Sequence, residues 1–239
     1  LMNRTDTKFV TSQQVLKRIL FDAKHDYRVQ AVNGEQNIAY HTVYLDTADR
    51  TMYMDHQNGR TIREKIRVRT YVSSGLTFLE IKNKNNKGRT DKKRIRIESI
   101  ETMKEDGGEL FLRQHAWYDQ SKLLPLLENS FRRITLVNKR MTERLTIDTE
   151  VAFRCLQSGQ TASLNDIVII ELKRDGRTPS PIKEVLRKLH VQSSGFSKYC
   201  IGSALTSVNL KKNRLKPKLR MLDKVLSLIH ISEPTRRVV

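Results

Sequence analysis

Cysteine is nearly missing from this chain. Its two residues, Cys155 and Cys200, stand far apart without metal-site spacing, which excludes a disulfide framework and a cysteine-based zinc site. Reduced thiols in a cytoplasmic setting are the expectation. Long apolar runs are missing too: none approaches the roughly 18 residues of a membrane span, and no signal-peptide pattern opens the chain. Aromatic residues make up only 6%, and none interleaves the basic stretches as base-stacking platforms would, which disfavours nucleic acid as the ligand. Carboxylates are the last deficit. Against 45 Lys and Arg there are 26 Asp and Glu, a net charge of +19, and a surplus of that size points to a polyanionic partner.

What is present suffices for a core: 38% of 239 residues are hydrophobic, enough for one large domain or two small ones. A leucine ahead of Met2 points to a start inside a longer protein. The stretch from Ser227 to Arg237 resembles the translated read-through of a sequencing adapter and is set aside. The expected organisation is one domain over residues 1–225, truncated at its N-terminus, and a non-native tail over 226–239.

Alternation of apolar and polar residues between turn signals predicts strands over 6–10, 27–32, 38–46, 63–69, 77–84, 92–97, 131–138, 139–153 and 167–173. Helical spacing predicts a helix from Gln13 to Ala23 capped by Thr11-Ser12, one or two turns within 47–56, a helix over 178–189, and a largely helical basic end from Ser197. It also predicts a helical insert over 100–128, with Leu110, Phe111, Trp117, Leu123, Leu124 and Leu127 packed inward and Pro125 as a break.

The stretch Arg63-Glu64-Lys65-Ile66-Arg67-Val68-Arg69 organises the rest. As a strand it sets Arg63, Lys65, Arg67 and Arg69 on one face and Ile66 and Val68 on the other. Like charges along one face repel, so the row needs open water or an anion. Glu80, Lys82 and Lys84 repeat the pattern, then Lys92, Arg94 and Arg96, then Arg144 with Thr146, Asp148 and Glu150. One such strand reads as the solvated side of an open sheet. Five or six of them, favouring Arg at every second position, read as a barrel with a polar interior and helices outside. Phosphate suits that lining, because Arg offers a planar fork of donors and Lys a compact charge. Glu80, Asp148, Glu150 and Glu171 either pair with the cations or hold a divalent metal that bridges phosphate oxygens.

The succession Tyr44-Leu45-Asp46-Thr47, Gly59 to Arg69, Leu79-Glu80-Ile81-Lys82, Lys92-Lys93-Arg94, Arg144 to Asp148, Ile170-Glu171-Leu172-Lys173 and Phe196-Ser197-Lys198-Tyr199 resembles the VTC domain. That is the polyphosphate polymerase domain of the vacuolar transporter chaperone family and its bacterial relatives, within the triphosphate tunnel metalloenzymes. The resemblance implies an α+β fold: an antiparallel closed β-barrel of about eight strands, forming a triphosphate tunnel and decorated by helices. It implies transfer of the terminal phosphoryl group of ATP to a growing polyphosphate chain, with Mn2+ or Mg2+ as cofactor. Matched by position, the phosphate-binding residues are Lys8, Arg67, Arg69, Lys82, Lys92, Arg133, Arg144, Ser197 and Lys198, and Glu171 is the metal-binding carboxylate. Arg63 and Arg94 join them because they share those faces, and Glu80 is a second candidate metal ligand. Within this set Arg67, Arg69, Lys82, Arg133 and Arg144 are assigned to catalysis.

Three positions depart from the family pattern. Asp6 is one carbon shorter than the usual Glu, Phe131 lacks a hydroxyl commonly present, and Gly195 stands where a relative carries Lys. Two other readings remain open on sequence: the same tunnel using water, as a hydrolase of tripolyphosphate or a nucleoside triphosphate, and a non-catalytic polyphosphate-binding module. A membrane partner is compatible with either. His41, His56 and Cys200 read as packing or surface residues. The basic run Lys211, Lys212, Arg214, Lys216, Lys218 and Arg220 reads as a solvated helix face or an outer contact for a polyanion.

Overall fold

The computed structural model describes residues 4–176 and 178–231. The chain opens with β1 (Arg4–Ser12) and α1 (Gln13–Ala23). Ser12 ends the strand and starts the helix, its hydroxyl accepting a hydrogen bond from the Val15 N–H at 3.3 Å, which satisfies one first-turn donor. Next come β2 (Tyr27–Val29), β3 (Asn37–Thr47), α2 (Thr51–Gln57) and a meander of β4 (Arg63–Tyr71), β5 (Leu76–Lys84) and β6 (Thr90–Ile97). After α3 (Gly108–His115) follow β7 (Leu123–Asn138), β8 (Glu143–Cys155), β9 (Thr161–Leu164) and β10 (Ile167–Asp175). The helices α4 (Pro181–Lys188), α5 (Lys198–Thr206) and α6 (Lys216–Ile231) complete an α+β fold.

All ladders are antiparallel and draw one path, β1-β10-β8-β7-β3-β4-β5-β6, with β2 added on β7 and β9 on β8. The expected closed barrel is not what these hydrogen bonds form. The path ends at β1 and β6, and no ladder joins the two among the described residues. Charged, exposed side chains from Asp91 to Arg94 line the outer strand β6, a composition that discourages further pairing. The sheet still curls on itself. Glu171 of β10 lies within electrostatic reach of Lys82 of β5, and Lys8 of β1 within reach of Lys65 of β4, although neither pair of strands is adjacent.

Alternation sorts side chains onto two faces. On the convex face Leu145, Ile147, Val168, Ile170 and Leu172 pack beneath Leu16 and Ile19 of α1 and Ile182 and Leu186 of α4. Further round, Ile66, Val68, Leu79 and Ile81 pack with Phe111 and Leu112 of α3. A third cluster fills one end of the concave side, where Val10, Tyr44, Leu127 and Ile169 meet Tyr199, Cys200 and Ile201 of α5 and Leu222 of α6. Helix α5 therefore enters the curl and carries Lys198 toward its polar middle.

Residues 100–128 are not one helical insert. Only α3 and a single 3-10 turn are helical there, and Leu123 already begins β7. Pro125 sits inside that strand opposite Leu45, at a register shift between Tyr44 and Leu45 where its missing N–H is tolerated. A leucine-rich run fits a buried strand as well as a helix, which is why spacing misassigned it. Trp117, Leu110 and Leu124, expected inside, are 52%, 58% and 42% exposed. A second bulge, opposite Ser130 to Arg132, places Glu150 at φ 51 and leaves it exposed, off the face it was expected to share with Asp148. Of the tail expected over 226–239, residues 226–231 continue α6, and 232–239 lie outside the described residues.

The Tyr44 to Thr47 motif is an anchor. Asp46 is fully buried and accepts from the N–H groups of Thr47, Met52 and Tyr53 at 2.7, 3.0 and 3.0 Å and from the Tyr199 hydroxyl at 2.5 Å. It thereby ties β3, α2 and α5 together. Asp46→Ala is expected to cost about 3 kcal/mol in chemical denaturation, since orphaned buried donors cost roughly 1–3 kcal/mol each. Asp49→Ala, at an exposed neighbour, should stay within about 0.5 kcal/mol.

Candidate functional site

The strand registers bring cations and carboxylates together on the concave face. Arg67 lies opposite Glu80, Lys82 opposite Lys92, Arg133 opposite Asp148, and Lys8 opposite Glu171. Glu80 is fully buried; its Oε2 accepts from Arg67 Nε at 2.7 Å, and its Oε1 meets the Lys92 ammonium. Burial alone would raise its pKa, but Arg67 and Lys92 outweigh burial and hold the carboxyl at about 2. Asp148 receives a two-pronged contact from Arg133, Nε to Oδ1 at 2.5 Å and Nη2 to Oδ2 at 2.8 Å, and an ammonium contact from Lys198. Burial is again outweighed, by Lys198 and Arg133, and this carboxyl stays well below the usual carboxylate range. Glu171 has Lys173 Nζ 3.4 Å from Oε1, and against the effect of burial Lys8 and Lys173 hold it at about 2.

Among the described residues, Arg69, Lys82 and Lys65 have no such ion-pair partner. Arg69 is buried, donates from Nε to Thr42 Oγ1 at 3.2 Å, and is pushed down to about 10 by burial and by Arg67. Lys82 falls well below the lysine range, first through repulsion from Arg67 and then through burial. Lys65 donates to Ser197 Oγ at 3.0 Å, and burial pulls it down to about 8. Lys8 donates to the Phe196 carbonyl at 2.8 Å. Beneath them Tyr40 and Phe131 stack, centroids 5.0 Å apart and planes 3° from parallel. Arg69, Arg133 and Lys198 lie over the Phe131 ring at 5.5, 5.1 and 4.3 Å. The lining thus sets Lys8, Lys65, Arg67, Arg69, Lys82, Lys92, Arg133 and Lys198 around Glu80, Asp148 and Glu171, and positive charge is left over.

Most residues singled out in the sequence meet here: Lys8, Arg67, Arg69, Lys82, Lys92, Arg133, Ser197, Lys198, Glu80 and Glu171. Arg144 is exposed further along β8, opposite Lys173. Arg94 is exposed, with its guanidinium 4.6 Å from the Phe78 ring centre. Arg63 stands near His56 and Lys218, on the α6 side. Two features escaped the sequence reading. Lys65, named in the β4 row but not among the candidate site residues, belongs to the lining. Aromatic rings do interleave the basic face, but Tyr40, Phe131 and Phe78 carry cations on their faces. The signal was present in the alternation of Tyr40 with Thr42 and in the two-residue step from Phe131 to Arg133.

Among the described residues, no three His, Cys, Asp or Glu side chains gather into a metal cage. Glu171 still fits a hard divalent cation, which takes one or two carboxylates and completes its shell with phosphate oxygens and water. Its carboxyl is ionised, its closest ion-pair contact is as long as 3.4 Å, and the same Lys173 stands 3.4 Å from Asp6 on the neighbouring strand. Both oxygens of Glu80 face cations instead.

Lys65 sets a pH dependence. A polyanion binds the protonated ammonium, so affinity for tripolyphosphate should fall as pH rises through about 8. Stability of the ligand-free fold should rise between about 8 and the ordinary lysine range, where the unfolded chain binds the extra proton. Calorimetric titration at about pH 7 and pH 9 measures the first effect, and Lys65→Arg, charged throughout, should make the decline shallower.

The VTC domain family matches residues 3–207. Among curated proteins none matches the chain. Solved structures to which it is similar include a candidate adenylate cyclase from Vibrio parahaemolyticus, at 13% identity and TM-score 0.49 over 83% of this chain and 98% of that one. The PH1012 protein of Pyrococcus horikoshii follows at 14% and 0.46, over 82% and 98%. HpAC1 from Hippeastrum, a candidate adenylyl cyclase with a dominant triphosphatase activity, matches at 13% and 0.47, over 86% and 98%. At these scores the likenesses add nothing to the reading of the site. With well over half of its length matched, the chain belongs to the VTC domain family.

Proposed function

We propose that this chain moves the terminal phosphoryl group of ATP onto the end of a polyphosphate chain lying in the basic channel. The observation that carries the reading is the surplus of cations on the concave face, where Arg69, Lys82 and Lys65 are desolvated without an ion-paired carboxylate of their own among the described residues. A linear chain of phosphates supplies several negative charges in a row, and membership of the VTC domain family supports the same substrate class.

In this reading Arg67, Arg69, Lys82 and Arg133 hold the phosphates in line and neutralise the charge on the equatorial oxygens. Lys8, Lys92, Ser197 and Lys198 extend the grip, and the exposed Arg144 and Arg94 draw the anion in. Glu80 and Asp148 are positioning residues that fix the guanidinium groups of Arg67 and Arg133. Drawing of β1 toward β6 around the bound chain, to complete a tunnel, belongs to the same proposal. Glu171, with Asp6 beside it, would hold Mn2+ or Mg2+, which supplies Lewis-acid polarisation of phosphate oxygens. The bond between the γ-phosphorus and the β–γ bridging oxygen breaks and ADP leaves with that oxygen. A terminal oxygen of the polyphosphate forms the new bond to phosphorus. Positioning and charge neutralisation are what such a transfer needs, and no side-chain nucleophile is required.

Purified protein given ATP, Mn2+ and a short polyphosphate primer should lengthen the primer and release one ADP per added unit. Free phosphate without chain growth would establish a hydrolase instead, and no turnover with either metal would leave a binding module. Glu171→Gln should lower the transfer rate by at least about a hundredfold while ATP binding persists.

A further inference from the structure

We propose that a cleft on the convex side of the sheet, between the hairpin of β5 and β6 and the end of α3, is a second ligand site that takes a nucleotide, with its base on Trp117 and its phosphate on Arg89 and Lys93. It lies outside the basic channel and does not rest on the function assigned above.

The sheet itself separates the two sites. Lys82 and Lys92 face the channel, and alternation turns their neighbours Asn83, Asp91 and Lys93 to the other side. Lys93 stands opposite Ile81, whose side chain packs with Phe111 and Leu112 of α3. Where α3 ends, hairpin and helix part around a cleft of about 630 Å3, whose lining includes Asn83, Asn85, Arg89, Lys93, Gln114 and Trp117. Small-molecule sites fall in that size range.

Trp117 is the first ground. It is 52% exposed, a large flat surface that the core does not use. Its backbone is nevertheless fixed, because the Trp117 N–H donates to both oxygens of Glu64, at 3.2 and 3.0 Å, and Glu64 is buried on the convex face of β4. An indole anchored in this way offers a base a prepared stacking face.

Charge is the second ground. Arg89 and Lys93 are exposed, and among the described residues no ion pair engages them, whereas Lys92 and Arg113 nearby are held by Glu80 and Glu109. Asp91 is the one carboxylate in the lining, so positive charge is left over. The hairpin fixes the backbone of Arg89: the Asn85 N–H donates to its carbonyl at 2.9 Å, and its own N–H donates to Asn85 Oδ1 at 3.0 Å. Lys93 Nζ lies 3.3 Å from His115 Nδ1, which draws the ammonium toward α3.

The amides are the third. Asn83 donates from Nδ2 to the His115 carbonyl at 3.4 Å, while its Oδ1 is buried without a partner among the described residues, and Gln114 is exposed beside it in the lining. A nucleotide joins a flat ring, hydroxyl groups and an anionic phosphate in one molecule. A neutral sugar would leave the two cations unanswered, and free phosphate would leave the indole bare.

Trp117 is the only tryptophan of the chain, so its fluorescence reports on this cleft. Titration of the wild type with AMP should change that emission saturably, whereas adenosine and inorganic phosphate should each need at least about tenfold higher concentration. By calorimetric titration, Arg89→Gln and Lys93→Gln should bind AMP about three- to tenfold more weakly, and Trp117→Ala at least about fivefold more weakly. All three should bind tripolyphosphate within about twofold of the wild type, and thermal unfolding checks that each is folded. Emission unchanged by AMP, AMP affinity untouched by the three substitutions, or equal binding of AMP and inorganic phosphate would each overturn the site. Failure of the wild type to bind tripolyphosphate would overturn the reading of the channel and leave the AMP comparison to decide this one.

Discussion

Repulsion among cations on the concave face is the constraint around which this protein is built. Three carboxylates keep it within bounds. Glu80 holds Arg67 and Lys92, Asp148 holds Arg133 and Lys198, and Glu171 answers Lys8 and Lys173. Each sits between two cations, so removing one leaves two like charges desolvated side by side, a more costly outcome than loss of a single surface pair. The apolar clusters on the convex face supply the stability that the interior consumes. Such a division is common where binding demands an unfavourable resting site.

Geometry is delivered to that interior by elements that never touch it. Asp46 binds the start of α2 and the Tyr199 hydroxyl, and Tyr199 follows Lys198 directly in α5. A buried carboxylate at the end of β3 thereby fixes the ammonium that caps Asp148. Ser12 performs a similar service at the other end of the chain, turning β1 into α1 so that α1 and α4 cover the convex face behind Glu171 and Lys8. The stacked Tyr40 and Phe131 rings give Arg69, Arg133 and Lys198 a surface to lie on that competes with no anion for their donors. Phe131 is therefore more than the loss of a hydroxyl.

The strands with one cationic face were legible because period-two alternation survives in β4, β5 and β6 without interruption. Lys8 and Arg133 came from the resemblance, since their short contexts carry no charge pattern of their own, whereas Glu171 was a candidate on the residues alone and the resemblance singled it out as the metal-binding carboxylate. The start of β7 was not legible: Leu123 to Leu127 contains a proline and four leucines that suit helix and buried strand alike, and only pairing with β3 decides between them. Closure of the sheet was overread from alternation, which specifies two faces but not whether the outermost strands meet.

The central claim is that the concave cations are held in excess for a polyanion. Thermal unfolding of the wild type at low salt, with and without tripolyphosphate at about a hundred times its dissociation constant, tests it most directly. Binding at that excess adds roughly 2.7 kcal/mol, which for a chain of this size raises the midpoint by about 5–10 °C. The account expects that rise, and a midpoint unmoved by tripolyphosphate would contradict it.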